Sequence, residues 1–356
     1  MNLKNFYNNK KVFLTGHTGF KGAWMSMLLK ELGAIVTGYS LPPEDIRGNL
    51  FNLLKLNKEV SSIENDICNK QALQQAIEEA QPEIVFHLAA QPLVIESYNI
   101  PVKTYQTNVM GTINLLDICR NINTIKAIVV ITTDKCYENK EWFWAYREND
   151  PLGGFDPYSS SKSMAELAVS SYRQSFFNNL NVGLASARAG NVIGGGDFAK
   201  YRIIPDIAEA IMKNEKVSLR NPNSIRPWQH VLDALYGYLL LAKALYNTPK
   251  EFGTAFNFSP DDNSNNHTVE YITKKFIKFI EKGHYDIKAN SNVHEATYLR
   301  LDSSKAKSML NWKPLFLTEE AINFTADWYK TYINDPINIK TKTLQQINYY
   351  LEKIND

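Results

Sequence analysis

Short, almost continuous apolar runs punctuate the first half of the chain, and segments with helical spacing lie between them. Lys11–Thr15 (KVFLT), Ile35–Tyr39, Glu83–Leu88 (EIVFHL) and Ala127–Thr132 (AIVVIT) are each expected to be a strand. Ala23–Leu32, stopped by Gly33, then Gln71–Glu79 and Thr107–Asn121 are expected to be helices. Strands that are apolar on both faces and separated by helices predict a parallel sheet covered on both sides.

After Ala187 the alternation loosens. NVIGGGD (191–197) is a glycine-rich break, Leu219–Pro227 holds two prolines and two arginines, and DDNSNN (261–266) reads as a polar loop. Trp228–Leu245 returns to an apolar, helical pattern. The expected fold class is α/β: a doubly wound parallel sheet over residues 1–190, rejoined by 228–258, with a smaller C-terminal α/β domain from 191–227 and 259–356.

Thr15-Gly16-His17-Thr18-Gly19-Phe20-Lys21-Gly22 joins the first strand to the first helix. Glycines there let the backbone approach a pyrophosphate, and the helix N-terminus offers free N–H groups and a positive dipole end. Gly16, His17, Thr18, Gly19, Phe20 and Gly22 are therefore candidate dinucleotide contacts. The spacing is G-x-x-G-x-x-G, not the general G-x-G-x-x-G, and a structural tight turn is the competing reading. The second strand ends at Tyr39-Ser40, with no carboxylate for an adenosine ribose. That criterion leaves NAD and NADP both open. Asp66-Ile67 could contact the adenine, or Asp66 could cap the helix that follows.

Tyr158-Ser-Ser-Ser-Lys162 begins another helical stretch, and its i, i+4 spacing puts Tyr158 and Lys162 on one face. A nearby ammonium favours a phenolate, which would serve as a general base for an alcohol proton. An exposed helix pair is the bland alternative. Position strengthens the chemical reading. Thr133-Asp134-Lys135 directly follows the strand Ala127–Thr132, and open α/β sheets bind ligands outside the carboxyl ends of their strands. The same triplet would also suit a solvated turn. Neighbours on a strand point to opposite faces, so Asp134 and Lys135 can reach one ligand only if the chain has already left the strand.

Composition narrows the classes. With 39 basic and 37 acidic residues the net charge is +2, so no nucleic-acid or membrane-surface partner is expected. Cys68, Cys119 and Cys136 are too sparse for a disulfide framework or a zinc ribbon. No apolar run approaches the length of a membrane span, the N-terminal segment is too polar for a secretory leader, and the cytoplasm is the expected compartment. His230, His294 and Glu295 lack metal-ligand spacing and are expected to pack or to line a substrate shell; no metal is expected.

TGHTGFKG (15–22), HLAAQ (87–91), NVMGT (108–112), TTDKCY (132–137), YSSSK (158–162) and RAGNVIGGG (188–196) together resemble the extended short-chain dehydrogenase/reductase superfamily, which has a Rossmann-type fold. With GGFDPYSSSK (153–162), IRPWQHVL (225–232) and HEATYLRLDSSKA (294–306), the likeness narrows to the nucleotide-sugar 4,6-dehydratases. The branch most similar acts on CDP-glucose: Lys135 stands where dTDP-glucose and GDP-mannose relatives carry Glu. This resemblance implies NAD as cofactor, held also by Ser40, Asp66, Ile67, Leu88, Ala89, Ala90, Thr107, Tyr158 and Lys162. It implies a sugar nucleotide held by Gln91, Asn191, Arg226 and Arg300, which fall in the matching motifs; Arg202 and Arg220 are further candidates, because arginines suit a pyrophosphate through bidentate geometry. It implies that Tyr158 deprotonates the sugar 4-hydroxyl beside Lys162, and that Thr133 donates to the developing O4. Asp134 would protonate the leaving 6-hydroxyl, a role that burial favours and Lys135 opposes. Lys135 would remove the C5 proton or stabilise the enolate. A homodimer or homotetramer is implied through the helices at Thr107–Asn121 and Tyr158, whose Val109, Ile113, Leu116, Ile118, Leu167, Val169 and Phe176 exceed the needs of one face. Two other readings stand: another nucleotide-sugar enzyme such as an epimerase, which has no use for an Asp-Lys pair, and a non-catalytic dinucleotide sensor, which has no use for Tyr158 and Lys162.

Overall fold

The computed structural model describes residues 2–44, 48–260, 267–288 and 298–354. In chain order the strands are β1 (Lys11–Thr15), β2 (Ile35–Ser40), β3 (Ser61–Glu64), β4 (Ile84–His87), β5 (Ala127–Ile131), β6 (Gly183–Ala189), β7 (Val192–Ile193), β8 (Lys216–Leu219), β9 (Gln229–His230), β10 (Ala255–Phe258) and β11 (His284–Ile287). Seven of them form one sheet in the order β10-β6-β5-β4-β1-β2-β3, and every pairing in it is parallel. Val12 of β1 lies between Val36 and Ile84. The strand order therefore reverses at β1 and β4, and the crevice beyond their carboxyl ends is the place where such sheets bind ligands.

The two faces of the sheet follow directly from residue alternation. Val12, Leu14, Phe86, Val129 and Ile131 share one apolar cluster with the helices Phe20–Glu31 and Val231–Asn247. Phe13, Val85, Ile128 and Val130 share the other with Lys70–Ala80 and Gly111–Cys119. β4, β5 and β6 are buried along their whole length. Each large aliphatic or aromatic side chain so buried contributes about 1.5–3 kcal/mol. The first cluster continues into the C-terminal third through Trp312, Phe316, Trp328, Tyr329 and Tyr350. It brings the helices Thr318–Asn334 and Ile339–Lys353 onto the same core.

Among the described residues, the C-terminal half adds two short parallel pairs, β8 with β11 and β7 with β9. Trp228–Leu245 was expected to be helical; the helix begins at Val231, after β9, and the chain then re-enters the large sheet as β10. A short helix, Leu3–Tyr7, precedes β1; the helix after the glycine loop starts at Phe20, three residues before the expected Ala23, because Gly19 is extended (φ −79°, ψ 171°) and ends the turn there. No helix among the described residues is long and apolar enough to cross a membrane. His294, Glu295 and the polar 261–266 segment lie outside the described residues.

Candidate active site

The glycine loop is shaped by backbone contacts. Gly16 adopts φ +75°, and a Cβ on it would stand 2.7 Å from the Ala89 nitrogen. The helix Phe20–Glu31 begins with Gly19, has no side-chain cap and carries no acidic residue in its first turn. Its N–H groups and dipole are thus left for an anion. Thr18 Oγ1 meets Ser40 Oγ at 2.8 Å, tying this loop to the end of β2.

The loop opens onto a cavity of about 1400 Å³ along the carboxyl edge of the sheet. That exceeds the roughly 300–1,000 Å³ of a single-ligand cleft and leaves room for a dinucleotide and a second substrate. Gly16, Thr18, Gly19, Phe20, Gly22, Ser40, Asp66, Ile67, Leu88, Ala89, Ala90 and Thr107 line it. Thr133, Asp134, Lys135, Tyr158 and Lys162 line the same cavity, and so do Asn191, Arg202, Arg220 and Arg226.

Two expected contacts are placed elsewhere. The His17 ring turns away from the cavity lining: its Nε2 meets Ser62 Oγ at 2.7 Å, its carbons pack on Gly38 and Phe51, and burial lowers its pKa to about 4. It is a neutral strut that reaches from the end of β1 over Gly38 of β2 to Ser62 of β3. Arg300 is not among the lining residues; its guanidinium lies 5.5 Å from the Tyr298 ring centroid. Gln91 lines the cavity, but its side chain is engaged internally, donating to Leu93 O (3.1 Å) and Thr104 Oγ1 (3.0 Å) and accepting from Leu93 N (2.6 Å).

β5 ends at Ile131, and residues Asp134–Cys136 form a 3₁₀ turn capped by Thr133. The chain has left the strand, so Asp134 and Lys135 reach the same cavity. Asp134 is wholly buried. Its Oδ1 accepts from Thr133 Oγ1 (2.9 Å) and Lys135 Nζ (3.4 Å), while Oδ2 has no protein partner. A buried carboxylate oxygen without a donor is costly, and here it belongs to a residue on the cavity wall. Asn191 Oδ1 is unpartnered in the same way.

Tyr158 and Lys162 sit in the first two turns of the helix Pro157–Tyr172, which Asp156 caps through Ser159 N. Both are buried. Lys162 Nζ donates to Ile131 O at 3.3 Å, and burial lowers its pKa to about 8, with Glu166 opposing. The expected lowering of the Tyr158 phenol is reversed: burial raises it to about 12, against the hydrogen bond with Thr133 and the nearby Arg202 charge. Desolvation of the phenolate outweighs those favourable protein neighbours.

Two residues that sequence reasoning left without a role stand out. Lys21 faces the cavity from the glycine loop, and burial together with the Arg202 and Lys162 charges lowers its pKa to about 7. Its position in the loop was visible, but its neighbours were not. Asn108, inside the NVMGT motif, donates to Gln91 O and to Ser161 Oγ (2.8 Å). It thereby fastens the loop after β4 to the Tyr158 helix.

A family model described as GDP-mannose 4,6 dehydratase matches residues 13–325. The chain belongs to that family. It is 49% identical to the CDP-glucose 4,6-dehydratase of Salmonella typhimurium over 93% of both chains. It is 25% identical to the dTDP-D-glucose 4,6-dehydratase of Dictyostelium discoideum over 98% of this chain and 88% of that one. Among solved structures, dTDP-glucose 4,6-dehydratase from Bacillus anthracis in complex with NAD superposes with a TM-score of 0.76 at 21% identity, covering 92% of this chain and 98% of that one. UDP-glucose 4-epimerase from Thermotoga maritima gives 0.77 at 20% identity, covering 91% and 99%. These structural likenesses place the family member among Rossmann-type folds.

Proposed function

We propose that this chain converts CDP-glucose to CDP-4-dehydro-6-deoxyglucose with NAD and no net redox change. The observation that carries the chemistry is the Asp134–Lys135 turn facing one cavity with Tyr158 and Lys162. The likeness to the Salmonella enzyme, close and nearly full-length, carries the nucleotide. Gly16, Gly19 and Gly22 fit a dinucleotide pyrophosphate because the backbone packs too closely for a side chain at Gly16 and Gly22, and because the helix that follows Gly19 opens with uncapped N–H groups. Thr18, Phe20, Ser40, Asp66, Ile67, Leu88, Ala89, Ala90 and Thr107 would line the rest of that site. Tyr39, Ser40, Leu41, Pro42 and Glu44, at and just past the end of β2, line the cavity and offer no cation to a 2′-phosphate, which favours NAD over NADP. Tighter NADP binding in a calorimetric titration would contradict this.

Bound NAD would supply a hydride acceptor for oxidation at sugar C4 and a hydride donor for reduction at C6. Tyr158 removes the 4-hydroxyl proton, Lys162 lying one turn behind it on the same helix face. Thr133 donates to the developing O4. The C4 ketone acidifies the C5 hydrogen, and Lys135 acts there, as base or as the cation that holds the enolate. Asp134 gives its proton to the 6-hydroxyl as the C6–O bond breaks, and water leaves. Asn191, Arg202, Arg220 and Arg226 hold the sugar-nucleotide pyrophosphate. The test is a panel of CDP-, dTDP-, UDP- and GDP-sugars assayed for 4-keto product by ultraviolet absorbance in alkali. CDP-glucose is expected to turn over fastest, and faster turnover of dTDP-glucose or GDP-mannose would overturn the nucleotide assignment.

The same reading divides the chain into a cofactor domain (1–190 with 228–258) and a sugar-nucleotide domain (191–227 with 259–356), and makes it a homodimer or homotetramer. Val102, Met110, Met164, Leu167 and Phe176 are exposed on the helical segments near Tyr158 and Thr107, which supports a partner there. Leu116, Ile118 and Val169 belong instead to the chain's own core. Light scattering that reports a monomer at micromolar concentration would contradict it. Unpaired Cys68, Cys119 and Cys136 fit a reducing, cytoplasmic setting.

A further inference from the structure

The helix Pro157–Tyr172 carries a third buried polar residue in the Tyr158–Lys162 series: Glu166, one turn beyond Lys162. Its Oε1 accepts from Thr132 Oγ1 at 2.5 Å. Its Oε2 accepts from Ser186 Oγ and from Arg188 Nη2, both at 2.7 Å. Arg188, on β6, is equally buried. Its Nη1 donates to Tyr137 Oη at 2.8 Å and to Glu148 O at 3.1 Å, and its guanidinium lies 4.9 Å from the Tyr137 ring centroid. Tyr137 Oη in turn donates to Asn257 Oδ1 on β10 at 2.7 Å.

Thr132 and Tyr137 are the two flanks of the segment 133–136. One ion pair therefore grips both sides of the turn that carries Asp134 and Lys135, and fastens them to the helix that carries Tyr158 and Lys162. The turn holds itself weakly: Cys136 N reaches Thr133 O at 3.4 Å and Tyr137 N reaches Asp134 O at 3.5 Å. Ser163 Oγ adds one more tie from the same helix, to Cys136 O. A buried ion pair is poor evidence for stability, because the desolvation of two charges offsets their attraction. Fixed direction is what charge-assisted, multiply bonded groups supply.

We propose that Glu166 and Arg188 are positioning residues for dehydration, holding the Asp134–Lys135 turn in register with Tyr158, so that water elimination depends on them more than C4 oxidation does. This rests on the dehydratase reading above. Tyr158 and Lys162 are held to one another by their own helix, whereas Asp134 and Lys135 reach the sugar only through the clamped turn.

The variant Glu166→Gln/Arg188→Met removes both charges together, so that neither is left buried alone. Single-turnover measurements on the NAD-loaded enzyme with CDP-glucose should show NADH forming at nearly the wild-type rate. Elimination should be about 10- to 100-fold slower, the scale of a roughly 1 Å misplacement, and the unreduced 4-ketone should accumulate. Hydrogen exchange read by mass spectrometry should show faster exchange over residues 132–137 and unchanged exchange over 158–166. Tyr137→Phe keeps the Glu166–Arg188 ion pair and removes both hydrogen bonds of the Tyr137 hydroxyl, from Arg188 and to Asn257. It should slow elimination selectively by about 3- to 10-fold, the worth of the Arg188 bond that ties the turn to the ion pair, and it decides the matter if the double variant does not fold. Equal slowing of both half-reactions, normal elimination, or unchanged exchange at 132–137 in a folded variant would overturn the proposal. If wild-type enzyme makes no 4-keto product from CDP-glucose, the functional reading fails, and the exchange comparison still decides whether the clamp exists.

Discussion

Gly22→Ala adds one methyl group at a helical position, where propensity alone would stabilise the chain by about 1 kcal/mol. The structure predicts the opposite sign. A Cβ at Gly22 would stand 2.0 Å from the Gly16 carbonyl oxygen and 2.7 Å from His17 Cα, all of it backbone. Reaching even 3.0 Å requires the turn to open by about 1 Å. Gly16 has little room to retreat, since it is packed on the Leu88–Ala89 backbone at φ +75°. Overpacking of this kind costs about 1–3 kcal/mol, enough to cancel the propensity gain and lower Tm by up to a few degrees. The displaced helix N–H groups would also lose a charge-assisted hydrogen bond to the pyrophosphate, about 1.5–3 kcal/mol, raising the NAD Kd about 10- to 150-fold. Gly19→Ala separates the two effects. Its Cβ would meet only Gly16 O, at 3.4 Å, so the cofactor-free Tm should not move. NAD binding should still weaken, because the methyl would project where the pyrophosphate approaches. Thermal unfolding without cofactor and calorimetric titration with NAD measure both. Gly22→Ala with wild-type Tm and wild-type Kd would refute the reasoning.

Other expectations concern the catalytic turn and helix. Tyr158→Phe should slow NADH formation from CDP-glucose about 10²- to 10⁴-fold. Lys135→Ala should spare that step and accumulate NADH with a 4-keto-glucose nucleotide; absence of transient NADH despite normal substrate binding would show the assigned role to be wrong. Washing of solvent deuterium into C5 that persists in Lys135→Ala would leave Lys135 only the enolate role. Lys162→Met should abolish dehydration yet stabilise the cofactor-free protein at pH 7. Burial lowers the Lys162 pKa from 10.5 to about 8, so its charge costs the folded state up to about 3 kcal/mol below pH 8. That cost fades as pH rises toward 10.5, and the variant's Tm advantage should shrink over the same interval. A Tm at pH 7 no higher than wild type would contradict it.

β1, β4 and β5 were legible because they are apolar on both faces and short. β6 was not: GLASARA is built from small residues with little strand preference. Its smallness is a packing demand, since a Cβ at Gly183 would stand 2.7 Å from Leu245 Cβ. β3 (SSIE) is a polar edge strand with no hydrophobic signal. In the site, the glycine loop, the strand-end triplet and the Tyr-x-x-x-Lys pair were all readable, because each is local in sequence. The orientation of His17 was not, since it depends on Gly38 leaving space for the ring. The sign of the Tyr158 shift was misread because spacing shows which charges are near and says nothing of burial. Glu166 and Arg188 are 22 residues apart, and no spacing rule pairs them across a helix and a strand.

In the proposed reaction, hydride leaves C4 and returns to C6 within one active-site cycle while water is lost. CDP-glucose deuterated at C4 tests it most directly, with the product examined by NMR and mass spectrometry. The expected product is a 4-keto-6-deoxy nucleotide that has lost one water and carries the deuterium at C6, with no added reductant consumed. Deuterium appearing in solvent or in a free reduced cofactor pool, or a product that keeps its 6-hydroxyl, would contradict it.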